Sequence, residues 1–141
     1  MPNPVTLQTN TRLLNFRSFG DSRGQLCALE ALSEQIPFEI KRVYYMWDVG
    51  PDQTRGHHAH YRLKQVLVCL SGSCDVVVED ATTKKTIRLD SPLQGLLLDG
   101  KIWHYMEHFS PNCVLMVLAS DHYQESDYIR DYDQFLKEMG K

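Results

Sequence analysis

What this sequence lacks excludes several classes of protein. No stretch approaches the roughly 18 apolar residues of a membrane-spanning helix, and Met1-Pro2-Asn3-Pro4 has neither the basic flank nor the apolar core of a secretory signal. The expectation is a cytoplasmic protein with no membrane partner. Positive charge is also scarce: 15 Lys and Arg against 18 Asp and Glu leave a net charge of −3, and the cations are scattered. There is no basic field to attract nucleic acid, which points to small-molecule partners. The four cysteines, Cys27, Cys69, Cys74 and Cys113, form no C-x-x-C pair and sit inside apolar runs, as buried thiols of a reducing compartment do. Internal repeats and low-complexity linkers are missing too. A chain of 141 residues fits one domain, 1–141, and can bury roughly two thirds of its unfolded surface.

What is present is a series of short extended runs. Turn chemistry recurs at Gly20-Asp21-Ser22-Arg23-Gly24, Glu79-Asp80, Asp90-Ser91-Pro92, Asp99-Gly100 and Ser110-Pro111-Asn112. Between these breaks lie strands near residues 75–79, 86–89, 95–98, 103–108 and 114–119, preceded by two strands within 11–32. Such regular spacing predicts an all-β antiparallel sandwich or barrel. Residues 33–38 read as a loop set by Pro37, and 41–49 as a strand. Alternation places Arg42, Tyr44 and Met46 on one face of it and Val43, Tyr45 and Trp47 on the other. The tail changes period. Tyr128, Tyr132, Phe135, Leu136 and Met139 form one helical stripe, which predicts a single C-terminal α-helix over about 126–139, capped by Ser126 or Asp127, ended by Gly140 and used for packing.

The chemistry concentrates in Arg55-Gly56-His57-His58-Ala59-His60, followed by Gln65 and Gly72. On an extended segment residues i and i+2 share a face, so His58 and His60 look into one space and His57 looks away. From the residues alone three readings stay open. The two imidazoles are structural; or they ligate zinc, iron or copper, with His104 on a later strand as a further ligand; or they act as acid and base, an imidazole pKa near 6.5 suiting proton transfer at neutral pH.

The spacing resembles the first cupin motif, in which a glycine and an H-x-H pair are followed by an acidic metal ligand. Gln65 stands at that acidic position, a weak donor where the motif has a carboxylate. A longer resemblance covers nearly the whole chain. Lys41-Arg42-Val43-Tyr44-Tyr45, Arg55-Gly56-x-His58-Ala59-His60, the run from Gln65 to Cys74, Trp103-His104, Val117-Leu118-Ala119-Ser120-Asp121 and Asp127-Tyr128-Ile129-Arg130 are similar to the TDP-4-keto-6-deoxyglucose 3,4-ketoisomerases.

That resemblance implies a cupin jelly-roll barrel without cofactor or metal, forming a homodimer that exchanges strands within about 12–32. It implies a TDP-linked 4-keto-6-deoxy sugar as substrate and a role in 3-amino-3,6-dideoxyhexose supply for surface polysaccharide such as lipopolysaccharide O-antigen. His58 matches the catalytic base and His60 its essential neighbour, while Arg23, Tyr44 and His104 match positions lining the sugar pocket. Arg55 matches an active-site arginine, and a guanidinium fork suits a diphosphate. Arg42 joins the substrate-binding set only by sharing a face with Tyr44; an outward ion pair is its alternative. His60, Tyr44 and His104 are the available donors for an enediolate oxyanion. Arg23 together with His104 resembles the branch that forms the galacto product. The rival functions are a sugar-nucleotide 3,5-epimerase, a non-catalytic sugar-sensing cupin and a metal-dependent cupin dioxygenase.

Overall fold

Strands alternate with tight turns along most of the chain because β-branched and aromatic residues recur between Gly, Pro, Asp and Ser clusters. The computed structural model describes residues 6–8 and 10–141; the terminal residues read for a signal lie outside that set. Among the described residues, β1 (Thr6–Gln8), β2 (Thr11–Asn15), β5 (Arg42–Trp47), β7 (Lys64–Ser71), β10 (Gln94–Asp99) and β12 (Val114–Ala119) build a six-stranded sheet in the order β1-β2-β10-β7-β12-β5. A five-stranded sheet has the order β13-β6-β11-β8-β9, from β6 (Arg55–His60), β8 (Cys74–Glu79), β9 (Lys84–Leu89), β11 (Trp103–Glu107) and β13 (Tyr128–Ile129). The pairings within both sheets are antiparallel, as expected. The hairpin of β3 (Phe19–Asp21) and β4 (Gly24–Leu26) stands apart from both.

Alternation decides what each sheet buries. On β7, Leu67 and Cys69 point between the sheets and meet Val76, Val78, Leu89, Leu96, Leu115 and Val117 in the main core. Val66 and Val68 point the other way, where Phe16, Ile36 and Phe38 from the intervening loops cover them in a second cluster. Both faces of β7 are therefore dry, which explains why its sequence reads as an unbroken apolar run rather than an alternating one. Val66, Leu67, Val68 and Cys69 are all at most 1% exposed. Burial of such side chains, at about 1.5–3 kcal/mol each, is what fixes the register of the strand.

The C-terminal helix is shorter than its apolar stripe suggested. A 3-10 turn at Glu125–Asp127 leads into β13, and α1 runs over Tyr132–Glu138 with Asp131 as its cap, the carboxylate accepting from the Asp133 N–H at 2.9 Å. The expected start at 126 is corrected because Tyr128 and Ile129 pair with His60 and Ala59 of β6 instead. The hydrogen bonds of a ladder replace those of a first helical turn. Phe135 and Ile129 then pack with Ala59 and Trp103, docking α1 on the outer face of the five-stranded sheet. Among the described residues no helix is long and apolar enough to cross a membrane.

Candidate active site

The histidine segment is the β6 strand, and its first residues are irregular for a reason that serves the site. His104 pairs with His58 while Tyr105 pairs with Gly56, so His57 is the extra residue of a β-bulge, at φ 61°. Gly56, at φ 103°, lies so close to β11 that a Cβ would come within 3.0 Å of the His104 carbonyl oxygen and the Tyr105 Cα. Only glycine fits there without displacing the strand. His57 turns outward to stack on Tyr105 at 4.6 Å, and its Nε2 meets the Thr54 Oγ at 2.8 Å. His58 and His60 are left facing inward, as the i, i+2 spacing requires.

Inside, three imidazoles meet. The ring centroids of His58 are 5.0 Å from His60 and 4.8 Å from His104, and ring nitrogens of all three lie within 4.8 Å of one another. His58 and His104 line a cavity of about 300 Å³ with Arg42, Tyr44, Arg55, Gln65, Tyr128 and Arg130; His60 sits behind, 4.4 Å from the Tyr128 ring and only 2% exposed. Burial first, then repulsion from His104 and neighbouring cations, depresses all but His104 by both causes: His58 to about 3 and His60 to about 2, while burial alone brings His104 to about 4. All three are neutral at pH 7.

Their hydrogen bonds define what a neutral ring can offer. His104 Nδ1 is 3.0 Å from the Ile102 carbonyl oxygen. A carbonyl only accepts, so Nδ1 carries the proton and Nε2 is left as an acceptor. The expectation that His104 donates to an oxyanion is therefore corrected: the neutral ring can only accept a hydrogen bond through Nε2. Among the described residues, His58 Nδ1, both nitrogens of His60 and Arg42 Nε are buried without a hydrogen-bond partner. Such atoms are costly unless a ligand satisfies them. Tyr44 differs. Its hydroxyl accepts from Gln65 Nε2 at 2.9 Å, and burial pushes it up to about 12, so it keeps a proton to donate into the cavity.

Arginines ring the mouth. Arg42 lies on the inward face of β5 with its guanidinium carbon 5.2 Å above the Tyr44 ring, so the ion-pair alternative is not what places it. Arg55 lines the same opening from β6. Arg130 was not among the expected site residues. It stacks on Tyr128 at 4.3 Å and is held bidentately by Glu125, at 2.6 and 2.9 Å. The helical spacing of the tail makes Tyr128 a packing residue and so conceals both Tyr128 and Arg130; the signal for them in the sequence is the run Asp127-Tyr128-Ile129-Arg130. Asp127 ties this tail to the β6–β7 turn, accepting from the Arg62 and Leu63 N–H groups at 3.0 and 3.1 Å, with its Oδ2 3.7 Å from His60 Nδ1.

Arg23 is not brought to this cavity by its own chain. It lies in the β3–β4 hairpin, mostly exposed, gripping Asp21 through Nη2 at 2.6 Å. The turn chemistry that made the hairpin legible also carries Arg23 away from the histidines.

Known proteins resemble this chain over nearly its whole length. The family described as "FdtA: WxcM-like, C-terminal" matches residues 9–140. A TDP-4-oxo-6-deoxy-α-D-glucose-3,4-oxoisomerase of Aneurinibacillus thermoaerophilus is 52% identical over 130 residues, 92% of this chain and 93% of that one. This chain belongs to the family of sugar-nucleotide 3,4-ketoisomerases. Among solved structures, a 3,4-ketoisomerase from Helicobacter canadensis is 48% identical with a TM-score of 0.91, covering 95% of this chain and 100% of that chain. A histidine-to-asparagine variant of QdtA from Thermoanaerobacterium thermosaccharolyticum, in complex with TDP-4-keto-6-deoxyglucose, is 41% identical with the same TM-score over 94% and 96% of the two chains. The cupin-type β fold expected from the sequence is thus shared with enzymes of this family. Ketoisomerases of this kind are isomerases that exchange a carbonyl and a hydroxyl between neighbouring carbons.

Proposed function

We propose that this chain converts TDP-4-keto-6-deoxyglucose to TDP-3-keto-6-deoxygalactose without a metal. The observation that carries this reading is the convergence of unprotonated His58 and His104, with His60 packed behind them, on a cavity lined by Arg42, Arg55 and Arg130. The relatives with named substrates act on the same class of sugar nucleotide.

The C4 ketone acidifies the C3 hydrogen. His58 removes that proton, and the electron pair flows into an enediolate spanning C3 and C4. Return of a proton to C4, with loss of the proton on the C3 oxygen and gain of one on the C4 oxygen, leaves a C3 ketone. No atom is gained or lost. The Tyr44 hydroxyl supplies a donor to the oxyanion, worth a few kcal/mol in a water-poor site. His104 accepts from a sugar hydroxyl through Nε2. A pKa near 3 makes free His58 a weak base, and part of that depression comes from Arg130. Docking of the anionic diphosphate against Arg55 and Arg130 offsets this repulsion, so His58 gains proton affinity when the substrate is in place.

The working form is a cytoplasmic homodimer. Val43, Tyr45 and Trp47 are 51%, 60% and 60% exposed on β5, an edge strand, and Phe19 and Leu26 are as open on the hairpin. Apolar edges of this kind are normally covered. A groove lined by Tyr45, Met46, Trp47, Val49 and Arg55 runs beside the mouth of the cavity. A partner's hairpin laid along it would carry Arg23 toward the sugar site that its own chain does not reach. The product feeds 3-amino-3,6-dideoxyhexose synthesis for surface polysaccharide.

The deciding experiment incubates the protein with TDP-4-keto-6-deoxyglucose in deuterated water and follows the sugar by proton NMR. Loss of the C3 proton signal with appearance of a 3-keto product supports the reading. Deuterium at C3 and C5 with the ketone still at C4 would show an epimerase, and no exchange would show a sensor. The three imidazoles within 4.8 Å favour one further reading, a metal-dependent cupin, which chelation separates.

A further inference from the structure

The inward face of β7 runs from Gln65, at the sugar cavity, through Leu67 to Cys69. At about 3.3 Å per residue Cys69 lies roughly 13 Å further along the strand, at the other end of the sheet sandwich. There it meets two more thiols. Cys74 opens β8 just past the Ser71-Gly72-Ser73 turn, and Cys113 immediately precedes β12. The three sulfurs lie within 4.8 Å of one another, with Cys69 and Cys113 3.7 Å apart. All three residues are buried among Val76, Leu89, Leu115 and Phe109.

The turns that carry them are locked together rather than loosely apposed. The Ser73 N–H donates to Ser110 Oγ and the Ser110 N–H to the Ser73 carbonyl, each at 2.9 Å, while the Cys113 N–H donates to the Ser110 carbonyl at 3.0 Å. A Cβ on Gly72 would strike Ser110 Oγ at 2.2 Å, so the two turns touch directly. The positions of the thiols are therefore fixed before anything binds. A metal held about 2.3 Å from three sulfurs in one plane needs those sulfurs about 4 Å apart, which lies within the separations found here.

We propose that Cys69, Cys74 and Cys113 form a second site, at the end of the barrel remote from the sugar cavity, that takes one thiophilic d10 cation of the Zn²⁺ or Cd²⁺ class. Two thiols give up their protons to solvent and the third stays protonated, so M²⁺ and three S–H groups become one neutral centre and two released protons. No oxidation state changes. Neutrality matters because the surrounding Val and Leu side chains offer no counter-charge. A buried cysteine trio with no ligand role would pack equally well as small apolar residues, and the experiment must tell the two apart.

Reduced full-length protein is titrated with Cd²⁺ without oxygen, following the sulfur-to-metal charge-transfer band, to which bound histidine contributes nothing. The expected result is saturation at one equivalent with two protons released per ion. Cys113→Ser and Cys74→Ser should abolish the band, and Cys27→Ser should leave it unchanged. Retained isomerase activity identifies the variants that have folded, and Cys113, on a turn, is the least disruptive of the three. Absence of the band at one equivalent in folded wild-type protein, or its persistence in a folded Cys113→Ser variant, would overturn the proposal.

Discussion

His104 sits directly across the β6–β11 ladder from His58, with ring centroids 4.8 Å apart and planes at 81°. This edge-to-face arrangement sets His58 beside a ring whose Nε2 is left to accept, since the Nδ1 of His104 is committed to the Ile102 carbonyl. The proposed base and its neighbouring acceptor are therefore placed by backbone pairing.

Replacing His58 by Asn keeps its size and some hydrogen bonding but removes the base. Turnover should fall by roughly 10²–10⁴, with affinity for TDP little changed. Single-turnover kinetics and TDP titration check the two halves separately. Exchange of the C3 proton at the wild-type rate in this variant would remove His58 from the base role.

The depressed histidines also make the fold sensitive to acid. Each has a folded pKa below its unfolded value near 6.5, so below pH 6.5 the unfolded chain binds protons that the folded chain refuses. Stability should be flat above pH 7 and fall from about 6.5 toward 4, by roughly 1.4 kcal/mol per pH unit for each histidine involved. Urea midpoints at pH 7, 6 and 5 measure this, and His60→Asn should shallow the slope. Equal midpoints at pH 7 and 5 would contradict the burial argument.

Arg55→Ala should raise KM for the nucleotide sugar more than it lowers kcat, because a diphosphate contact is made in the ground and transition states alike. Arg130→Ala should do more. It removes a cation at the mouth and also frees Glu125, whose carboxylate is held down to about 2 mainly by Arg130. The Glu125 carboxylate, still held by the Tyr123 hydroxyl, would then carry a charge that Arg130 no longer balances. Equal effects of the two substitutions would show that Glu125 plays no part.

The reach of the sequence can be judged from these residues. The facing of His58 and His60, the inward row Arg42, Tyr44 and Met46, and most of the strands were legible because a period of two is a direct consequence of backbone geometry. The bulge at His57 was not, since it depends on how closely β11 approaches Gly56, a tertiary fact. Tyr128 was misassigned for a related reason. Its spacing to Tyr132 and Phe135 satisfies a helix, and only the availability of β6 as a pairing partner decides for a strand. The placement of Arg23 lies one level higher still, because where a protruding hairpin ends up depends on what covers it.

The configuration at C4 of the product should be galacto. Arg23 and His104 resemble that branch of the family, and a planar enediolate takes its proton on whichever face the sugar presents to His58. The coupling between H4 and H5 of fresh product decides: a large axial–axial value would show the gluco configuration. Arg23→Tyr with His104→Arg should shift the product toward gluco, which makes the assignment depend on these two side chains.

Gln65 provides the sharpest separation between metal-free and metal-dependent chemistry. It is 1% exposed, it lines the cavity beside His58 and His104, and its amide nitrogen donates to Tyr44. An amide is a weak neutral ligand, so the three imidazoles lack the charged fourth donor that a cupin metal centre has. Wild-type turnover should survive exhaustive chelation with EDTA. Gln65→Glu reverses the balance in two ways. The carboxylate supplies a charged fourth donor to His58, His60 and His104, and the Tyr44 hydroxyl turns to donate to it and is lost to the oxyanion. The variant should bind about one equivalent of Zn²⁺ or Fe²⁺ through nitrogen and oxygen donors and lose isomerase activity by roughly the 10²–10³ typical of a missing oxyanion donor. Loss of wild-type activity on chelation, restored by one added metal, would sink the metal-free mechanism, and an active, metal-free Gln65→Glu enzyme would show that Gln65 does not orient Tyr44.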